Sequence, residues 1–352
     1  MASITDVAKL AGVSTATVSR VVSAAPYAVS PATRERVLDA ARELDYVPNA
    51  LARGLLKSYI PVVGVIVHDI TDPYFSEVVR GVEDAASQGG FLVITCSSDR
   101  DPEREHSYVR LLRSMRAATL IFAGSGLDDP AINARMRRHT AAMRAYGAAV
   151  VHLSPHAGGA GEIRVDNQAG IAGMVSALVG LGHRRIAFLA GPPTLYVARE
   201  RLAGYRRGLE AAGIESDERL VLSTGFNQET GAAAVDQLLA AADEVPFTAI
   251  MAANDLLALG ALRRLEELGI DVPGRISVAG FDDIQTTAIT SPPLSTVRLP
   301  LHEIGRRGYE YAAQVLDGMR PARVDLPTEL VLRGSTGPAP DPTGPDTSGP
   351  GR

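Results

Sequence analysis

Polar and charged side chains recur in this chain just past short apolar runs. His68, Asp69, Asp72, Tyr74 and Phe75 follow Val62–Val67, and Arg201 lies in the stretch after Ile186–Ala190. Asn254 and Asp255 follow Ile250–Ala253, and Asp282 and Asp283 follow Val278–Gly280. Carboxylates, amides and guanidinium groups grouped in this way can hold a ligand by hydrogen bonds. They do not form a catalytic set: there is no nucleophile elbow and no phosphate-binding loop. Gly124-Ser125-Gly126-Leu127-Asp128-Asp129 lacks the third glycine of a dinucleotide fingerprint. The seven histidines show no metal-ligand spacing with Cys96. We therefore expect a binding protein with no resident cofactor or metal, and not an enzyme.

A second group of residues suits a different chemistry. Ile4 to Val22 reads as helix, glycine turn, helix, with Thr5 or Asp6 capping the first and Ser14 capping the second. Gly12 breaks the pair, because glycine accepts the positive φ that ends a helix in a tight turn. The second helix opens on small hydroxyl residues and carries Arg20 near its end. A helix fits the major groove, where such side chains meet base edges and backbone N–H groups meet phosphate. On this reading the apolar side is Val7, Ala8, Leu10 and Ala11 in the first helix and Val18, Val21 and Val22 in the second. Ser30-Pro31 begins a third helix ending near Asp45.

These groups must be positioned by two kinds of architecture. Residues 5–57 show almost no strand signal. After Pro61, apolar strands alternate with amphipathic helices: Val62–Val67, Phe91–Cys96, Thr119–Ala123, Ala148–Leu153, Arg185–Ala190, Thr248–Ala252 and Ile276–Gly280 alternate with stretches such as Phe75–Ala86, Glu103–Met115, Gln168–Leu181, Arg201–Ala212 and Leu256–Leu268. That alternation predicts parallel sheets with helices on both faces, in two lobes. In such sheets ligands sit beyond the carboxyl ends of the strands, where the polar residues above lie. The division expected is 1–47 helical, 48–60 linker, 61–333 two-lobed, and 334–352 a disordered tail rich in Pro, Gly, Ser and Thr.

Composition agrees. Apolar residues make up 46% and charged residues 21%, ample for a core, and the single cysteine excludes a disulfide framework and suits a reducing cytosol. Net charge is −5, so the whole molecule is no polycation, yet residues 1–60 carry seven cations against five anions. Met1 to Lys9 includes Asp6 and lacks the apolar stretch of a signal peptide, and no run approaches a membrane span. A cytoplasmic protein is expected.

Asp6-Val7-Ala8, Ala11-Gly12-Val13-Ser14, Thr17-Val18-Ser19-Arg20-Val21, Val29-Ser30, Thr33-Arg34-Glu35-Arg36-Val37 and Leu44-Asp45-Tyr46-Val47-Pro48-Asn49 follow one another in a fixed order. Through them, and on to about residue 333, the chain resembles the lac repressor (LacI/GalR) family of bacterial transcription regulators. The resemblance implies a small all-α helix-turn-helix DNA-binding domain plus an α/β two-lobed body like the periplasmic sugar-binding fold. Thr15, Ala16 and Arg20 fall where the family reads bases, and Ser14, Thr17, Ser19 and Thr33 where it holds phosphates. Asn49, Ala52 and Leu55 fall in a hinge helix that orders on DNA, with Leu55 the minor-groove wedge and Ala52 the close helix contact. Gly54 lowers the helix propensity of that segment.

The same resemblance places Arg201, Asn254 and Asp282 where relatives grip an effector, commonly through sugar hydroxyls, with Asp69 beside them and Tyr74, Phe75 and Phe226 at aromatic covering positions. Leu195 and Val197 stand where nucleobase-sensing relatives have polar residues, which favours a sugar. His183 begins a family turn and is read as structural. What the resemblance implies is a repressor of palindromic operator DNA, working as a homodimer and controlled by a small molecule, most simply a sugar. Two alternatives stand beside it: a regulator answering to a purine, nucleoside or phosphorylated metabolite, and a sugar-binding transport protein. The run Ser154–Glu162 has no physical reading from sequence beyond an expected place at the border of the pocket.

Overall fold

The structure, a computed structural model, describes residues 2–22, 29–46, 59–156 and 161–340. Three helices come first: α1 (Ile4–Ala11), α2 (Thr15–Val22) and α3 (Pro31–Glu43). They close a core of their own from Val7, Ala8, Ala11, Val18, Val21, Val37 and Ala40. Leu10, read from sequence as part of the apolar side, is instead 47% exposed, because the α1–α2 crossing takes the neighbouring stripe. The cap of α1 is Ser3 rather than Thr5 or Asp6: Asp6 sits at the third helical position and closes a capping box with the Ser3 hydroxyl and N–H. Gly12 has φ 63 and ends α1 as expected. Ser30 caps α3, with Pro31 in its first turn.

The body holds two four-stranded parallel sheets. In the first, β1 (Ile60–Val67), β2 (Leu92–Ser97), β3 (Ala117–Phe122) and β4 (Ala149–His152) lie in the order β2-β1-β3-β4. Its connecting helices are α4 (Pro73–Gln88), α5 (Pro102–Ser114) and α6 (Pro130–Ala145). β1 is apolar throughout because it feeds two cores at once. Val63, Val65 and Val67 pack with Val78 and Val82 of α4. Val62 and Ile66 pack with Val109 and Leu112 of α5 and Met136 and Met143 of α6.

After β5 (Ile163–Val165) the second lobe repeats the plan. Its strands β6 (Ile186–Leu189), β7 (Val221–Leu222), β8 (Ala249–Ala252) and β9 (Ser277–Ala279) take the order β7-β6-β8-β9. Helix α7 (Asn167–Gly180) packs on α8 (Tyr196–Ala211), and α9 (Gln228–Ala240) packs on α10 (Asp255–Glu267). The chain then leaves through β10 (Thr296–Arg298) and returns to the first lobe as α11 (Leu301–Leu316). There α11 lies on α4 so closely that a Cβ on Gly305 would stand 1.9 Å from the Val78 carbonyl oxygen, and one on Gly81 would stand 2.0 Å from that of His302.

β11 (Val324–Leu326) runs parallel to β5, and β12 (Glu329–Val331) pairs with β10. The chain therefore passes between the lobes three times, twice as hydrogen-bonded neighbours.

The seven strands read from sequence are all present, within two residues at each end. The tail differs from its reading. Ser335 is fully buried; its carbonyl accepts from Val278 N–H at 2.8 Å and its hydroxyl donates to the Val278 carbonyl at 2.6 Å, so it continues the pairing beyond β9. Ala339 N–H donates to Leu181 at 2.8 Å. Polar residues here satisfy a sheet edge, which composition cannot distinguish from disorder. His183 is buried, bonding Thr248 at 2.8 Å and both Ser277 and Gly337 at 3.1 Å, a structural pin as read. No helix among the described residues is long and apolar enough to cross a membrane.

Candidate functional site

The carboxyl ends of the strands in the two sheets face one cleft. His68, Asp72 and Tyr74 come from the end of β1, Arg100 from β2, Ala123 to Ser125 from β3 and Ser154 from β4. The second lobe supplies Leu195, Val197 and Arg201 after β6, Phe226 after β7, Asn254 after β8 and Asp282 after β9.

Arg201 is the hub. It lies on α8 and is buried, its guanidinium carbon 4.1 Å from the centre of the Phe281 ring. Its Nε donates to Asn167 at 3.1 Å, one terminal nitrogen to the Ala253 carbonyl at 2.6 Å, and the other to Asp282 at 3.0 Å. Asp282 and Asp283 both have positive φ, 117° and 57°, which non-glycine residues adopt only when their surroundings impose it. Arg298 and Arg333 supply that constraint on Asp283, at 2.7 and 2.8 Å. The result is an Asp282 carboxylate turned inward on Arg201. Burial pushes the Asp282 carboxyl up to about 7, while Arg201 beside it acts in the opposite direction. Asp255, deeper still, accepts from Thr296 at 2.6 Å and from Ile284 N–H at 2.9 Å, and burial raises it well above the carboxylate range. Asn254 caps α10 through Leu257 N–H at 3.0 Å.

On the opposite wall, burial raises the Tyr74 phenol to about 12. Burial, helped by the Arg100 charge, lowers His68 to about 4, so His68 is neutral at physiological pH. Asp72 caps α4 through Tyr74 N–H at 3.0 Å and is raised by burial. The lobes meet beside the cleft: Val197 N–H donates to the Ser125 hydroxyl at 3.1 Å, Asp128 N–H to Thr194 at 2.8 Å, and Arg199 pairs with Asp128.

Five of the seven predicted effector residues thus converge: Tyr74, Arg201, Phe226, Asn254 and Asp282. Two do not. Asp69 turns back on Thr71, accepting from its N–H at 2.9 Å and its hydroxyl at 2.7 Å. Phe75 points into the first-lobe core, edge-on to Tyr74 at 4.9 Å. Adjacent residues of a helix start face different ways, so Tyr74 takes the cleft and Phe75 the core. Sequence reading missed Arg100 and Ser125 as cleft residues, while Ser154 opens the run expected at the pocket's border. Their common signal is position just after a strand, and it is visible once β2, β3 and β4 are placed.

In the helical head, Thr15, Ala16 and Arg20 are exposed along α2, opposite its buried Val18 and Val21. Ser14 caps the helix, accepting from Thr17 N–H at 3.2 Å, with its hydroxyl 2.9 Å from that of Thr17. Ser19 is half-buried on the same helix, and Thr33 lies in the first turn of α3 with its hydroxyl 2.9 Å from Ser30. Asn49, Ala52 and Leu55, with most of the 48–60 linker, lie outside the described residues.

Residues 3–49 match the model for bacterial regulatory proteins of the lacI family, and residues 175–336 match a periplasmic binding protein-like domain. The HTH-type transcriptional repressor CytR of Escherichia coli K12 is 35% identical over 95% of this chain and 96% of its own. The repressor PurR of Vibrio atlanticus is 35% identical over 88% of this chain and 90% of its own. Among solved structures, the Lac repressor dimer bound to operator and the anti-inducer ONPF superposes with a TM-score of 0.80, at 29% identity over 96% of this chain and 99% of that one. A complex of the transcriptional regulator CelR with cellobiose gives 0.66, at 32% identity over 95% and 100%.

Proposed function

Since the chain belongs to the LacI family of bacterial regulatory proteins, whose members matched here are repressors and not enzymes, we propose that it is a cytoplasmic repressor whose grip on a palindromic operator is set by a small polyhydroxylated effector, a sugar, bound between its lobes. The observation that carries the effector half is the cleft itself: the carboxyl ends of the strands in both sheets deliver side chains to one space, and Arg201 and Asp282 are fixed there by bonds that orient them. Asp72 and Asp282 supply acceptors for hydroxyls, the amide nitrogen of Asn254 supplies a donor, and Phe226 with Leu195 and Val197 covers an apolar ring face. The cellobiose complex of a relative supports a sugar.

For the DNA half, Thr15 and Ala16 read bases by a hydroxyl and by methyl contact, Arg20 reads guanine by a bidentate fork, and Ser14, Thr17, Ser19 and Thr33 hold phosphates. Asn49, Ala52 and Leu55 form a hinge whose Leu55 enters the minor groove. Two copies match a palindrome, so a homodimer is the working form. Effector binding biases lobe closure, and the coupling is the difference in effector affinity between the DNA-competent and incompetent states.

The test is fluorescence anisotropy of full-length protein on a family-type palindrome, titrated with a panel of sugars and nucleobases. A shift of about tenfold with one sugar, about 1.4 kcal/mol, is the expected result. Tight DNA binding that no compound alters overturns the cleft assignment, and binding no stronger than to unrelated duplex overturns the DNA-reading assignment.

A further inference from the structure

Arg100 differs from Arg201, the other arginine that lines the cleft. It sits at the carboxyl end of β2 with φ 60, next to Asp101, the cap of α5. That backbone turn carries its guanidinium to the boundary between the cleft and a small adjoining pocket in the first lobe. The carbon of the guanidinium lies 5.7 Å from the centre of the Phe226 ring across the cleft. Its Nε is buried without a partner, and among the described residues Arg100 makes no hydrogen bond or ion pair.

Asp72, Asp69 and Asp99 lie near enough for their charges to favour that of Arg100, but none of them bonds it. Asp99 pairs with Arg104, Asp69 is taken by Thr71, Asp72 caps α4, and Glu105 faces His156 at 3.8 Å. Arg201, on the second-lobe wall of the cleft, makes three protein bonds.

A half-buried guanidinium whose Nε has no acceptor is costly, and its planar fork of donors matches one kind of partner far better than any other. Two oxygens on one centre, as in a carboxylate or a phosphate, accept two parallel N–H bonds and cancel the charge. A second buried nitrogen without a partner, Nδ1 of His156, lies in a residue lining the same adjoining cavity, which His68 and Asn133 also line.

We propose that the effector is an acidic sugar derivative whose carboxylate or phosphate docks on Arg100 at the edge of the cleft, while the hydroxyls meet Asp72, Asn254 and Asp282. This deepens the effector reading above and rests on it. Arg100 is then the residue that separates charged from neutral ligands of the same ring.

The experiment is isothermal titration of the full-length protein with matched sets: a neutral hexose, its uronic acid and its terminal phosphate ester, and the same three forms of a pentose. At least one acidic member binds about tenfold or more tighter than its neutral parent, and that advantage shrinks with added salt. Arg100→Gln reduces the acidic ligand to the level of the parent, and Arg100→Lys, which keeps the charge but loses the fork, falls between. Preference for the uronic acid identifies a carboxylate and preference for the ester a phosphate; either supports the proposal. A neutral parent that binds as tightly as its acids, or an Arg100→Gln protein that keeps the preference, overturns it while leaving a sugar sensor standing. Absence of binding across all members overturns the effector reading together with it.

Discussion

Replacing Arg201 by alanine removes more than a ligand contact. The side chain holds Asn167, the Ala253 carbonyl and Asp282 at 2.6 to 3.1 Å, and all of these are buried. In Arg201→Ala, two neutral acceptors and one carboxylate lose their donor in a site water reaches poorly. Deleting one member of a buried, hydrogen-bonded ion pair costs about 3–5 kcal/mol, mainly because the other charge stays behind.

The pH dependence carries the sign. The Asp282 carboxyl already stands near 7, raised by burial from its ordinary value of 3.8. Without the guanidinium it rises further. A carboxyl raised in the folded state stabilises the fold as long as it holds its proton, and that contribution is lost as pH climbs through the folded value. The penalty of Arg201→Ala is therefore full near pH 8 and reduced near pH 5, where Asp282 is protonated in both proteins.

Urea unfolding of wild type, Arg201→Ala, Asp282→Asn and the double variant at both pH values measures this. At pH 8 the single arginine variant loses about 3–5 kcal/mol, on the order of 10 °C in Tm. The double variant recovers about 1 kcal/mol or more of it, because no charge is stranded. A penalty below about 1 kcal/mol at pH 8, equal penalties at the two pH values, or strict additivity would refute the reasoning. Loss of effector response in Arg201→Ala should be read only at temperatures where the variant is folded.

Three further outcomes are expected. Gly305→Ala drives a Cβ into the Val78 backbone 1.9 Å away; helix propensity returns about 1 kcal/mol, overpacking costs about 1–3 or more, and thermal melting should show a net loss. Arg20→Ala should weaken the operator by about 1–3 kcal/mol and relax preference at one base pair per half-site, seen by selection from randomised duplexes; a uniform loss on all sequences would instead make Arg20 a phosphate contact. The stability difference between wild type and Asp282→Asn should shift against wild type as pH rises from about 4 to 7, and a flat difference would mean that Asp282 titrates as an ordinary carboxyl.

Much of the fold is legible in the sequence because β1, β3, β6 and β8 are buried on both faces and so read as unbroken apolar runs. The short strands β5, β7, β10, β11 and β12 have two or three residues each and leave no period to detect. Their pairing depends on contacts between distant segments, such as Val324 with Ile163. The same holds for the site. Arg201, Asn254 and Asp282 carry a family pattern, whereas the importance of Arg100 lies in a backbone turn and in the absence of a partner, and neither has a sequence signature. Phe75 and Tyr74 are equivalent as residue types, and only the direction of the first turn of α4 assigns one to the core and the other to the cleft.

The return of α11 to the first lobe bears on how the protein is made. Its apolar face covers Val78 and Val82 of α4, which a ribosome delivers more than two hundred residues earlier. The second lobe waits in the same way for β12 and Ser335 to close against β10 and β9. Neither lobe is contiguous in the chain, so neither can finish its core during synthesis. The last forty or so described residues serve both, and a nascent chain halted before them has all eight strands of its two sheets but leaves the α4 face and the β9 edge uncovered, the condition in which chaperone capture matters most.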